Sequence, residues 1–67
     1  MFYRIAKTPS TTQQDNVRSW DRIESYSLKK SRMTIDEMSD VVGNHRNGSP
    51  RGFVLYCIRN GWLVSTC

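Results

Sequence analysis

The chain lacks the features that mark secreted and membrane proteins. Its 67 residues contain only two cysteines, whereas a secreted disulfide scaffold carries roughly four to eight. No apolar run approaches the roughly 18 residues that span a bilayer. The first five residues also lack the charged and apolar regions of a signal peptide. These absences predict a soluble, cytoplasmic protein with no membrane partner.

Residues that support catalysis or metal binding are equally scarce. The single histidine, His45, has no Ser or Cys placed beside it by a known motif, and the sequence contains no glycine-rich phosphate loop. A zinc site built from His45, Cys57 and Cys67 would lack a fourth ligand and the paired spacing of structural zinc sites. We therefore predict that the protein is not an enzyme and uses no cofactor.

Apolar residues are few, and the charge is unevenly distributed. The apolar share is 37%, and it stays below the roughly 45–50% usual for globular chains when glycine is counted in place of tyrosine. Ten basic and six acidic residues give a net charge of +4. Residues 1–30 and 43–67 are each net basic, and 43–67 contain no acid, whereas 31–42 are net acidic. One small domain with a thin core is expected, and its charge permits a polyanionic partner.

The first helix is indicated by apolar residues at helical spacing. Asp15 or Asn16 can serve as its N-cap, and Lys29, Lys30 and Arg32 follow where a helix C-terminus favours cations. The apolar residues at this spacing are Val17, Trp20, Ile23 and Leu28.

Two further helices have explicit start and stop signals. Thr34 and Glu37 form a capping box, in which each side chain bonds the other residue's backbone amide, and Gly43 follows the last apolar position. Ser49 and Pro50 are an N-cap and a first helical residue, and Gly61 marks the end of that helix. The predicted elements are an N-terminal strand and linker over 1–15, helices over 16–30, 34–42 and 49–60, and a strand over 62–66.

This order of elements resembles the winged helix-turn-helix family of DNA-binding domains. The resemblance rests on residues 33–43, which run from Met-Thr-Ile-Asp-Glu-Met to Gly, and on residues 49–63, which begin Ser-Pro-Arg-Gly-Phe-Val and end Ile-Arg-Asn-Gly-Trp-Leu. It implies a mainly α fold with a small β component, in which the third helix enters the DNA major groove. Very small basic proteins of this type are similar to bacteriophage or mobile-element regulators.

One departure from the family affects the expected sheet. A full wing needs a two-stranded hairpin after the third helix, but only five residues follow Trp62. We therefore expect residues 2–5 to return and pair with residues 62–66, and to bury Trp62 or Val64 against the helices. The predicted fold is a three-helix winged helix-turn-helix with a short sheet formed by the N- and C-terminal segments.

The resemblance implies that the protein binds duplex DNA as a transcriptional regulator, as a homodimer because one helix covers only a half-site. Arg51 is the expected base contact, since its guanidinium can bond guanine O6 and N7. Arg46, Ser49 and Arg59 are expected to contact the DNA backbone. The full set of expected DNA-binding residues is Arg46, Asn47, Ser49, Arg51, Tyr56 and Arg59.

A protein-directed function on the same fold is the alternative. Exposed Leu55 and Tyr56, together with the acidic second helix, would then dock on a partner such as a host transcription protein, as an inhibitor or modulator. The acidic residues Asp36, Glu37 and Asp40 favour this alternative, because they would repel phosphate if they faced it.

Overall fold

The computed structural model describes residues 1–10, 13–43 and 48–66. Within these ranges it contains three helices and one two-stranded antiparallel sheet, which confirms the predicted fold class. In chain order the elements are β1 (Phe2–Ile5), α1 (Gln14–Ser27), α2 (Ile35–Val42), α3 (Pro50–Arg59) and β2 (Leu63–Thr66). None of the helices in the described part of the chain is both long enough and apolar enough to cross a bilayer.

The first and last elements form the sheet, as predicted. Phe2 pairs with Thr66, and Ile5 pairs with Leu63. On its other side, β1 forms a single bridge: the Tyr3 amide donates to the Met33 carbonyl at 2.7 Å, and the Met33 amide donates back to the Tyr3 carbonyl at 3.0 Å. β1 therefore lies between β2 and the segment that connects α1 to α2.

The start of α2 has the predicted capping box. The Thr34 hydroxyl accepts from the Glu37 amide at 3.1 Å, and the Glu37 carboxylate accepts from the Thr34 amide at 3.1 Å. At the other end, Gly43 has a φ of 66°, which a residue with a side chain rarely adopts. The Arg22 guanidinium of α1 also donates to the Val42 carbonyl. This contact satisfies one of the carbonyls that a helix end leaves without an intrahelical partner.

α3 ends in a Schellman motif that turns the chain into β2. The Gly61 amide donates to the Ile58 carbonyl at 3.1 Å, and the Trp62 amide donates to the Cys57 carbonyl at 3.0 Å. Gly61 supplies the positive φ, 77°, that this motif needs. The predicted stop at Gly61 is confirmed, and the strand begins at Leu63 rather than Trp62.

α1 differs from its predicted boundaries of 16–30. It begins after Gln13, whose backbone is extended and whose side chain makes no capping hydrogen bond, so neither Asp15 nor Asn16 is the N-cap. It ends at Ser27, and in the turn that follows, the Tyr26 carbonyl accepts from the amides of both Lys29 and Lys30. Leu28, expected on the buried face, is consequently 86% exposed, and the predicted cations lie beyond the helix.

One hydrophobic core joins all five elements. Trp20 and Trp62 meet edge to face inside it, with ring centroids 6.4 Å apart. Ile58 of α3 is only partly buried, at the margin of this core. The buried apolar residues are Tyr3, Trp20, Ile23, Met33, Met38, Val42, Phe53, Val54, Cys57, Trp62 and Leu63.

Candidate nucleic-acid interface

The outward face of α3 is defined here as Gly52, Leu55, Tyr56 and Arg59, which are all exposed. They line one shallow depression. The opposite side of the helix carries Phe53, Val54 and Cys57, which are buried. The helical period therefore separates a side fixed in the core from a side available to a partner, and the predicted exposure of Leu55 and Tyr56 is confirmed.

The N-terminal end of α3 carries Ser49, one of the expected DNA contacts. Ser49 is the N-cap, and its hydroxyl accepts from the Gly52 amide at 2.9 Å. A Cβ atom on Gly52 would lie 3.0 Å from that hydroxyl oxygen. The bare glycine therefore leaves the cap undisturbed and also lets a partner approach the helix backbone closely.

A groove beside this end brings in polar residues that sequence reasoning missed. Gln13 and Asn16, from the start of α1, line it together with Ser49, Gly52 and Tyr56. The beginnings of two helices therefore border one groove, and their amides favour negative charge there. Gln13 and Asn16 are separated from α3 by more than thirty residues of sequence, so no local pattern could indicate this proximity.

Arg51 is paired within the protein. Its guanidinium donates to the Asp36 carboxylate of α2 at 3.0 Å. Both side chains are largely exposed, at 61% and 87%, and an exposed pair of this kind adds little stability. The pair does change the electrostatics of α3, because a carboxylate now stands beside the expected base contact.

Tyr56 and Arg59 occupy the centre and the last turn of the outward face. The Tyr56 ring stands edge to face on Trp62, with centroids 5.4 Å apart, and 47% of the residue remains exposed. Arg59 is exposed in the last turn. Among the described residues, no carboxylate lies within ion-pairing distance of Arg59. The core therefore orients Tyr56, while Arg59 keeps its positive charge available to a ligand.

Four of the six expected DNA-binding residues lie on α3 or at its N-cap, but Arg51 borders a separate depression beside Tyr3 and Asp36. Ser49 and Arg51 lie at its beginning, and Tyr56 and Arg59 lie further along it. Arg46 and Asn47 lie outside the described residues. His45 and Cys67, two of the three ligands of the zinc site considered from the sequence, also lie outside the described residues. The described ranges contain no group of three or more metal-binding side chains.

A hydrogen-bonded cluster around Glu37 fixes the connection between α1 and α2. Its carboxylate accepts from the Lys30 ammonium and from the Tyr26 hydroxyl, the latter at 2.8 Å. Bonds from Lys30, Tyr26 and the Thr34 amide lower the pKa of Glu37 to about 2. The hydrogen bond to the same carboxylate raises the pKa of Lys30 and that of Tyr26. Glu37 is therefore held as an anion by donors within the protein.

The described residues offer no activated thiol. Cys57 lies in the core on the inner side of α3, and burial raises the pKa of its thiol to about 12. A thiol with so high a pKa is a poor nucleophile at neutral pH. The sulfur is best explained as a small apolar group that packs between α3 and its neighbours.

A comparison of the chain with protein families, curated proteins and solved structures found no match.

Proposed function

We propose that the chain binds duplex DNA through the outward face of α3 and acts as a small transcriptional regulator. The observation that carries the proposal is the exposure of Tyr56 and Arg59 on a helix whose other side is fixed in the core. Residues 48–66 also contain two arginines and no acidic residue. A rigid helix with basic and aromatic groups on its free side suits both phosphate neutralisation and contact with base edges.

The contacts divide by chemistry. Arg59 and the amide-rich start of α3, including Ser49, would hold phosphate groups and fix the position of the helix. Arg51 would read a base edge, and to do so it exchanges the Asp36 carboxylate for guanine O6 and N7. Because Asp36 repels phosphate, its position beside Arg51 disfavours a purely electrostatic contact there. The proposal includes a homodimer, since one helix of this length covers one half-site.

Salt dependence provides the first test. We expect the affinity for a random-sequence duplex of about 20 base pairs, followed by fluorescence anisotropy, to fall as salt rises. Arg59→Gln should lower the slope of log affinity against log salt by about 0.9. Arg18→Gln is the matched control, because Arg18 lies on α1 two residues from Trp20 and so faces away from the core. No duplex binding at about 50 mM salt, or equal effects of both variants, would contradict the proposal.

Selection from a randomised duplex pool tests the role of Arg51. Arg51→Ala should bind with reduced sequence preference, because the base contact is removed. Asp36→Asn leaves Arg51 in place and removes the competing carboxylate, so it should bind a random duplex a few-fold more tightly. If Asp36→Asn weakens binding instead, the ion pair positions Arg51 rather than competing for it.

A regulator directed at a protein is the second candidate. It is favoured by Leu55, which is 45% exposed beside Tyr56 in the middle of the outward face, because apolar and aromatic groups are typical of the centre of protein interfaces. Its complex should persist at about 200 mM salt, where a DNA complex held by phosphate contacts weakens strongly. Leu55→Asp should abolish the protein complex, whereas Arg59→Gln should have the smaller effect.

A further inference from the structure

The outward face of the sheet, defined here as Phe2, Arg4, Val64 and Thr66 together with Arg32, is a second basic surface. Phe2 and Arg4 alternate with Tyr3, which is buried, so their side chains lie on the opposite side of β1 from the core. Val64 and Thr66 are their partners on β2. This surface belongs to neither α3 nor the groove beside it.

Arg32 joins this face from the segment between α1 and α2. Its guanidinium carbon lies 5.1 Å from the centre of the Phe2 ring, within the range of a cation–π contact. Met33, the next residue, bridges to Tyr3. Arg32 and Arg4 therefore flank the same bridge and lie on the same face of the sheet.

The sheet face carries two like charges from Arg4 and Arg32. Like charges on neighbouring strands repel each other, and in the described part of the chain neither Arg4 nor Arg32 lies within ion-pairing distance of a carboxylate. The contact with Phe2 accounts for the position of Arg32 but leaves Arg4 unexplained. Two unpaired guanidiniums beside a ring that is 39% exposed are complementary to an anion that also carries a flat group.

We propose that this face binds single-stranded nucleic acid. Arg4 and Arg32 would each contact a phosphate, and a base would stack on the Phe2 ring or on the guanidinium above it. A short sheet with an exposed aromatic residue suits unpaired bases, whose faces are accessible, better than duplex DNA, whose bases are stacked on one another. The proposal is independent of the duplex binding assigned to α3.

The test uses a labelled oligothymidylate of about ten nucleotides, within the range of single-strand site sizes. Arg4→Gln and Arg32→Gln should each lower the slope of log affinity against log salt by about 0.7, the value for one phosphate on a single strand. Phe2→Leu keeps an apolar side chain and removes the ring, so it should weaken binding roughly 5-fold or more. Arg18→Gln serves as the control for loss of one charge. The circular dichroism spectrum and thermal midpoint of each variant establish that it is folded.

Each outcome separates this proposal from the others. Loss of oligothymidylate binding in the Arg4, Arg32 and Phe2 variants, with duplex binding unchanged, supports a separate single-strand site. Equal losses in Arg18→Gln would show general attraction between charges and overturn the site. Binding to vesicles containing phosphatidylserine but not to oligothymidylate would overturn it in favour of a membrane surface. If Arg59→Gln does not change duplex binding, the function proposed for α3 is contradicted. The single-strand site proposed for the sheet is not affected by that result.

Discussion

The outward faces of α3 and of the sheet present positive charge in different ways. On α3, Arg59 belongs to the outward face, whereas Arg51 lies at the margin of that face and is paired with Asp36 of the neighbouring helix. On the sheet, Arg4 and Arg32 come from distant parts of the chain and lie beside an aromatic ring. Local helix signals are therefore enough to build the first face, whereas the second forms only when distant parts of the chain pack together.

Two leucines provide the largest expected contrast between the regions. Leu63 lies on the inner side of the sheet and is 1% exposed, whereas Leu55 lies on the outward face of α3. Leu63→Ala should lower the free energy of unfolding by about 2 to 5 kcal/mol, because it leaves a cavity in the core. Leu55→Ala should change it by no more than about 0.5 kcal/mol. Urea denaturation of both variants measures the difference.

Similar losses of unfolding free energy in the two leucine variants would contradict this distinction between the core and the outward face of α3, because they would show that the outward face is needed for folding. A loss of stability confined to Leu63→Ala would show that Leu63 supports the fold and that Leu55 does not. Leu55 would then contribute little to folding, and its side chain would be available to a partner.

The elements that could be predicted from the sequence are those whose start and stop signals lie within a few neighbouring residues. The capping box of Thr34 and Glu37, the Ser49–Pro50 start and the Gly61 stop each specify a backbone conformation locally, and the structure has all three. The start of α1 lacked such a signal, because Gln13 caps the helix through its backbone conformation alone. A polar residue that could have capped it, Asp15, lies inside the first turn instead.

The candidate site was predictable only in part, for a related reason. Helical spacing was enough to place Tyr56 and Arg59 on the free side of α3. The pairing of Arg51 with Asp36 and the stacking of Arg32 on Phe2 both depend on how separate elements pack. No periodicity within either segment encodes these contacts, so the electrostatic character of both faces emerged only from the structure.

Gly61 connects α3 to the sheet, and its substitution should lower the stability by an intermediate amount. The residue has a φ of 77° in the turn that leads from α3 into β2. Nothing lies within 4 Å of the position that a Cβ atom would occupy, so the cost of Gly61→Ala is conformational rather than steric. We expect a loss of about 1 to 2 kcal/mol in the free energy of unfolding, measured by thermal or urea denaturation.

Gly48 provides the control for Gly61, because it also has a positive φ, 133°, and an open Cβ position, but precedes α3. If strain at Gly61 disturbs the sheet in particular, Gly61→Ala should expose the Trp62 indole and shift its fluorescence, whereas Gly48→Ala should not. A fluorescence shift in both variants would mean that the sheet depends on α3 as a whole and not on the turn at Gly61.

The smallest expected effect is a change in stability with pH, which comes from the contacts of Glu37 beside the sheet. Glu37 holds the segment that carries Arg32, through its bonds to Lys30 and Thr34. The folded-state pKa of Glu37, about 2, lies below the value of about 4.3 in an unfolded chain. The stabilisation it provides is therefore complete above about pH 4.3 and is lost as the pH falls towards 2.

Glu37→Gln isolates this contribution, because glutamine keeps the side-chain acceptor of the capping box but removes the charge. The wild-type protein should be more stable than the variant at about pH 5, and the difference should shrink steadily towards about pH 2.5. Since the cluster is partly exposed, added salt should reduce the difference as well. A difference that does not change with pH would show that Glu37 acts only as a neutral hydrogen-bond acceptor. The order of the Arg32 segment, and with it the sheet face, would then not depend on charge.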